Sequence, residues 1–158
     1  VADHTAGSAG KEDLPIENYH IPLWIYSPGL LPPKEIDRLS SQIDLAPTLL
    51  GLLNIDYIST FFGFDLLSDN HPGRALLANY QHLGLFDGEN LAITSPGNKI
   101  RLHLNARGSS DELSITTKNP LVARNIAYYQ GASYSLINKL LGREKYKTNA
   151  IKTALIIN

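Results

Sequence analysis

Ser41-Gln42-Ile43-Asp44-Leu45-Ala46-Pro47-Thr48-Leu49-Leu50-Gly51-Leu52-Leu53 is the stretch on which the fold reading turns. Asp44 is a helix-capping residue type, and Pro47 falls in the first turn, where its missing N–H costs little. The pattern predicts a helix that buries Leu45, Thr48, Leu49, Leu52 and Leu53. Before it, Ile21-Pro22-Leu23-Trp24-Ile25-Tyr26 is a short apolar, β-favouring run closed by Ser27-Pro28-Gly29. That predicts a buried strand with Pro22 at its start, then a turn. A proline-containing connection from Leu30 to Arg38 joins strand to helix.

After the helix, Phe61-Phe62-Gly63-Phe64-Asp65-Leu66-Leu67 is apolar and is expected to pack locally, before the turn-rich Ser68-Asp69-Asn70-His71-Pro72-Gly73. The pattern then shortens. Ala75 to Tyr80, His82 to Phe86, Leu91 to Thr94, Ile100 to Leu104 and Leu113 to Thr117 are strand-length runs separated by turn residues, which predicts a small antiparallel meander. Asn119 and Pro120 open a second helix, with Val122, Ile126, Tyr129, Leu136 and Leu140 at helical spacing and Gly142 closing it. Its apolar face should lie on the meander. The tail from Arg143 to Asn158 reads equally as a strand or a frayed end. A composition change falls at the turn-rich stretch, dividing the chain into residues 1–67 and a small antiparallel sheet with a C-terminal helix over residues 68–158.

The totals narrow the function classes. With 158 residues the chain is long enough for one domain with a real core and too short for a large α/β enzyme. At 43% hydrophobic and 18% charged it has the composition of a globular protein that folds. A net charge of -1 with scattered Lys and Arg excludes a field that gathers nucleic acid. There is no apolar run of bilayer-spanning length, so the segment reads as soluble. The absence of cysteine removes disulfides and thiolate metal sites. The chain has no methionine and starts at Val1, which suggests a fragment or processed product.

The first eleven residues are small and polar and read as a loop that contains Asp3, His4 and Lys11. An adjacent Asp-His pair can offer one carboxylate oxygen and one imidazole nitrogen to a divalent ion, although most such pairs simply lie in solvent. The surroundings favour the ligand reading. Ala2-Asp3-His4-Thr5, Lys11, and Tyr19-His20-Ile21-Pro22-Leu23-Trp24-Ile25-Tyr26-Ser27-Pro28 resemble the passage from metal loop to strand in sulfatase-like enzymes of the alkaline phosphatase superfamily. Ser41 to Leu53 is similar to that family's Ser-x-x-Asp-x-x-Pro-Thr helix, and Phe62-Gly63-x-Asp65-Leu66-Leu67 is similar to the segment that follows it. Thr5 after the pair, His20 before Ile-Pro-Leu, and Tyr128-Tyr129-Gln130-Gly131-Ala132-Ser133-Tyr134 resemble the lipoteichoic-acid-synthase-like branch of phosphoglycerol transferases.

The resemblance implies the C-terminal portion of an alkaline-phosphatase-like α/β sandwich. It also implies phosphoryl or sulfuryl transfer through a covalent intermediate, assisted by a divalent metal: Mn or Zn first, Ca or Mg as alternatives. Asp3 and His4 are then metal ligands. Lys11 matches a Lys that contacts the transferring group, against the plain reading of a solvated loop residue. His20 could bond a substrate oxygen or protonate a leaving alkoxide, against that of a structural His bonded to backbone. The nucleophile is a Thr well before the pair in that branch, so this chain contains none, and Thr5 does not match its place. The expected partners are the missing N-terminal part of the same catalytic domain, an anionic ester substrate and, through an exposed edge, a second copy of the chain. The expected location is extracytoplasmic. A sulfatase fragment and a non-catalytic module inactive by itself are the alternatives. His71, His82 and His103 match no motif and read as surface or strand residues, and Trp24 and the tyrosines as packing residues.

Overall fold

The computed structural model describes residues 1–2, 5, 13–68, 71–108, 111–114 and 118–141. Its centre is a five-stranded antiparallel meander in which every strand lies beside its sequence neighbour. The strands are β1 (Ala75–Ala78), β2 (Leu83–Phe86), β3 (Leu91–Ser95), β4 (Lys99–Leu104) and β5 (Asp111–Ser114). Short turns enforce that order. Asn79 Oδ1 accepts from the Gln81 and His82 N–H groups at 2.9 and 2.7 Å, and Asp87 Oδ1 from those of Glu89 and Asn90 at 3.0 and 2.7 Å. These side chains stand in for a backbone turn. The meander predicted from the five short runs is therefore present.

The register explains why apolar residues come in consecutive runs rather than alternating with polar ones. Leu76, Leu85, Ala92 and Leu102 are successive cross-strand partners on one face, while Leu77, Gly84 and Ile93, with Phe86 and Leu91 beside them, share the other. Both faces are covered, so every residue of the two sets is buried except Leu76, which is half-buried. On the second face Leu14 packs against Leu77, Phe86, Leu91 and Ile93, with Ile16, Tyr19 and Leu39 at its margin. Gly84 makes room for it, since a Cβ there would sit 2.8 Å from Leu14 Cδ1.

The first face is covered by α2 (Pro120–Ile137). Asn119 caps it, its side chain accepting from the Leu121 and Val122 N–H groups at 2.9 and 3.4 Å. Val122, on the predicted stripe, and Leu121 beside it pack on Leu85, Ala92 and Leu102, with Ile126 at the margin. Asn125, fully buried, donates through Nδ2 to the carbonyls of Leu83 at 3.0 Å and Ala92 at 3.3 Å. The predicted stripe fails at Leu136, which is 70% exposed. Tyr134 and Ile137, in the same last turn of α2, are exposed too. Gly142 and the tail from Arg143 to Asn158 lie outside the described residues.

Two other expectations need correction. Ile21–Tyr26 is not a strand: it is paired with no described strand, and Trp24 and Tyr26 are 85% and 89% exposed. A strand exists through ladder bonds to a neighbour, and the five strands of the sheet pair only with each other. Trp24 is therefore not a packing residue here. The helix predicted from Asp44 is present as α1 (Leu45–Leu52), with Thr48 buried as expected and Leu45 and Leu52 half-buried, but Pro47 is buried as well while Leu49 and Leu53 are exposed. Its neighbours approach from the N-terminal turn rather than along the leucine stripe. No helix among the described residues is long and apolar enough to cross a membrane.

Candidate functional site

Asp44 and Arg74 form the densest polar contact of the described structure. The guanidinium meets the carboxylate in a two-point fork, Nη1 to Oδ2 at 2.6 Å and Nη2 to Oδ1 at 2.8 Å, with both residues at most 1% exposed. Such planar forks are the strongest form of carboxylate recognition. Asp44 does not cap α1 with its side chain. It accepts instead from the Ser41 N–H and the Phe64 N–H, both at 2.8 Å. Arg74 also donates to the Phe62 carbonyl at 3.2 Å and the Tyr128 hydroxyl at 3.1 Å, and its guanidinium lies 4.8 Å from the Phe64 ring centre. Burial alone would raise the Asp44 carboxyl, but the Arg74 guanidinium and the two N–H groups outweigh it and hold it below the usual value.

This knot gives the Ser-x-x-Asp-x-x-Pro-Thr helix and the segment after it their physical meaning. Ser41 Oγ accepts from the Leu76 N–H at 2.7 Å, tying the start of the 3-10 turn Gln42–Asp44 to β1. Thr48 Oγ1 donates to the Asp44 carbonyl at 2.6 Å and accepts from the Leu66 N–H at 2.9 Å. Gly63 lies so close to Ile43 that a Cβ would fall 1.9 Å from its carbonyl oxygen. His71 stacks on Phe64 at 4.8 Å, with Nε2 3.0 Å from the Asp65 carbonyl. It is packed rather than on the surface; half-buried His82 has Nδ1 2.7 Å from Ser95 Oγ, and half-buried His103 lies in β4, a strand residue as expected.

Asp3, His4 and Lys11, the residues singled out for chemistry, lie outside the described residues. Their described neighbours are held in place. The Ala2 carbonyl accepts from Gln42 Nε2 at 2.7 Å, and the Thr5 hydroxyl donates to the Asn18 carbonyl. Gln42 belongs to the turn that ends at Asp44, and Asn18 to the 3-10 turn Ile16–Tyr19. His20 closes that second turn and is exposed, and its side chain bonds no described residue. The backbone-bonded reading of His20 is therefore not what the structure shows. The ring stands at an open cleft of about 2270 Å³, where the chain from Ile21 to Arg38 loops away from Leu66, Leu77 and Phe86.

A further ion pair joins Asp13 Oδ1 to Arg101 Nη2 at 3.0 Å. It ties the end of the N-terminal loop to β4. Among the described residues, no three His, Asp or Glu side chains come together as a metal shell. By donor chemistry, the Asp3 carboxylate and His4 imidazole suit Mn²⁺ or Zn²⁺ as two members of a larger set. Sequence reasoning missed Arg74 and Gln42. A charged residue opening the apolar run Ala75-Leu76-Leu77 was a usable sign for the first; nothing in the sequence marks the second.

Two comparisons with known proteins agree with this geometry. Residues 1–55 match the sulfatase family model. The fold is similar to that of a protein in the alkaline phosphatase superfamily from Vibrio parahaemolyticus, with 28% identity and a TM-score of 0.73 over 87% of this chain. The chain spans about a third (34%) of that structure's length. The first third of the chain is thus similar in sequence to sulfatases, and nearly all of it is similar in fold to a member of the alkaline phosphatase superfamily.

Proposed function

We propose that this chain is the C-terminal part of the catalytic domain of a metal-dependent phosphoryl transferase or hydrolase, with phosphoglycerol transfer on anionic lipid headgroup or glycan esters as its reaction. The observation that carries the reading is the extent of the sulfatase match. Residues 1–55 contain Asp3, His4, Lys11 and His20 together, with the Ser41 to Leu53 motif that carries Asp44. In this reading Asp3 and His4 hold a divalent metal, Mn or Zn before Ca or Mg, which when bound supplies charge to the oxygens of the transferring group. Lys11 places an ammonium beside an anionic ester oxygen. His20, exposed at the edge of the cleft, donates a proton to the departing alkoxide, which leaves as an alcohol. The attacking hydroxyl comes from outside this chain.

The first part, residues 1–67, carries the chemistry, and residues 68–158 form the scaffold under it. The remainder of the same domain is the proposed partner of the exposed Leu23 to Tyr26 ribbon, in an extracytoplasmic enzyme. Uncovered, that ribbon should drive self-association, read as an apparent mass that rises with concentration in size exclusion. Sulfuric ester hydrolysis is the second reading, favoured by the family model that matches. Turnover of a glycerophosphodiester and of an aryl sulfate by the full-length protein separates them. The proposal expects the phosphodiester to be cleaved faster, and His20→Ala to slow that cleavage at least tenfold. Preference for the sulfate would replace the first reading by the second. Turnover by this chain alone would contradict an outside nucleophile.

A further inference from the structure

We infer that Arg107 forms a subsite for a second anionic group of the substrate, a phosphate or carboxylate apart from the ester that reacts beside His20; this rests on the reading above that the cleft holds the substrate. Arg107 and His20 line the same open cleft, and both are exposed. The Arg107 guanidinium carbon lies 5.2 Å from the centre of the Phe86 ring, and Phe86 itself is fully buried. Contact with a ring face holds a planar guanidinium in place without engaging its N–H donors. The described ion pairs are Asp44–Arg74 and Asp13–Arg101, so among the described residues Arg107 has no carboxylate partner. Asp87, directly after Phe86, turns its carboxylate to the N–H groups of Glu89 and Asn90. The backbone around Arg107 is tied down as well, the Ala106 N–H donating to the Glu89 carbonyl at 2.7 Å and the Gly108 N–H to the Asn105 carbonyl at 2.8 Å. A guanidinium held this way at a cleft is suited to take two oxygens of one anionic group.

The spacing sets the kind of ligand. Phe86, under Arg107, pairs with Ala75 at one end of β1, while the Tyr19 hydroxyl, next to His20 in sequence, donates to the Ala78 carbonyl at the other end. At the usual rise per strand residue these two anchor points lie about 10 Å apart. A small phosphodiester bound beside His20 does not reach that far. A substrate that carries a further charge along its chain does.

The test uses the full-length protein and three probes: p-nitrophenyl glycerophosphate, and the same diester extended by a terminal phosphate or a terminal carboxylate about 10 Å from the reacting phosphorus. The wild type should prefer a doubly charged probe by about tenfold in kcat/KM. Arg107→Met keeps an unbranched apolar cover on Phe86 and should remove that preference by raising KM rather than lowering kcat. Arg107→Lys should restore part of it, and both variants should melt within about 2 °C of the wild type. The extended probe whose preference is lost names the anion. Absence of any preference in the wild type would overturn the inference, and so would a preference that survives Arg107→Met. Equal losses on all three probes with a lower melting temperature would make Arg107 merely a lid on Phe86. His20→Ala separates the two levels. If it leaves cleavage of the singly charged probe unchanged, the underlying reading fails; if it slows that cleavage and Arg107→Met leaves the preference intact, only this inference fails.

Discussion

Replacing Asp44 by alanine should be among the most damaging single changes to this chain. It leaves the Arg74 guanidinium, 1% exposed, without its counter-ion, and it removes the acceptor of the Ser41 and Phe64 N–H groups. Breaking a buried pair from one side costs about 3–5 kcal/mol, because the remaining charge stays buried and unpaired. Domains of this kind have only about 5–15 kcal/mol of net stability. At roughly 2–4 °C per kcal/mol for a chain of this size, the expected fall in melting temperature is on the order of 6–20 °C. Thermal unfolding followed by circular dichroism at neutral pH reads it directly. The double variant Asp44→Ala with Arg74→Met removes both charges and should recover part of the loss. It should not recover all of it, because Ser41, Phe64 and the Phe62 carbonyl each still lack a partner, at about 1–3 kcal/mol apiece. A fall below about 2 °C for the single variant, or strict additivity in the cycle, would refute the knot as the centre of the fold.

Other predictions follow from the same structure. Gly63→Ala should lower the melting temperature by several degrees, since its Cβ would fall 1.9 Å from a backbone oxygen. Gly51→Ala meets only the movable Asp65 carboxylate at 2.5 Å and gains helix propensity of about 1 kcal/mol, so it should be near neutral in the same melt. The Asp44 carboxyl is held below its ordinary value, so its contribution to stability is complete above about pH 5 and is lost as pH falls through the still lower folded value. Denaturant midpoints at pH 3 and pH 6 should therefore differ in the wild type more than in Asp44→Ala. Burial pushes the Tyr129 hydroxyl up from 10.0 to about 12, so stability should fall as pH rises through that interval, and Tyr129→Phe should flatten the fall.

The meander and α2 were legible because their signals are local: turn residues between short apolar runs, and Asn119-Pro120 ahead of a helical stripe. Asp44 was read as a helix cap and not as half of an ion pair, since Arg74 lies thirty positions away and no periodicity links them. Ile21–Tyr26 shows the converse error. Its composition is that of a strand, yet strand formation depends on a neighbouring edge, which composition does not reveal. At the candidate site, Asp3, His4 and Lys11 were singled out by residue type and motif and lie outside the described residues. The bonds that hold their neighbours, Gln42 to Ala2 and Thr5 to Asn18, are long-range pairings of ordinary polar side chains that leave no sequence pattern.

The most direct test of the central reading is metal content. The full-length protein carrying this chain, purified with Mn²⁺ or Zn²⁺ and dialysed, should retain metal in near-stoichiometric amount. The combined Asp3→Ala and His4→Ala variant should retain at least about a hundredfold less affinity with its circular dichroism unchanged. Equal metal retention by the folded variant would contradict the assignment of that pair as ligands, and with it the account of this chain as part of a sulfatase-like metal centre.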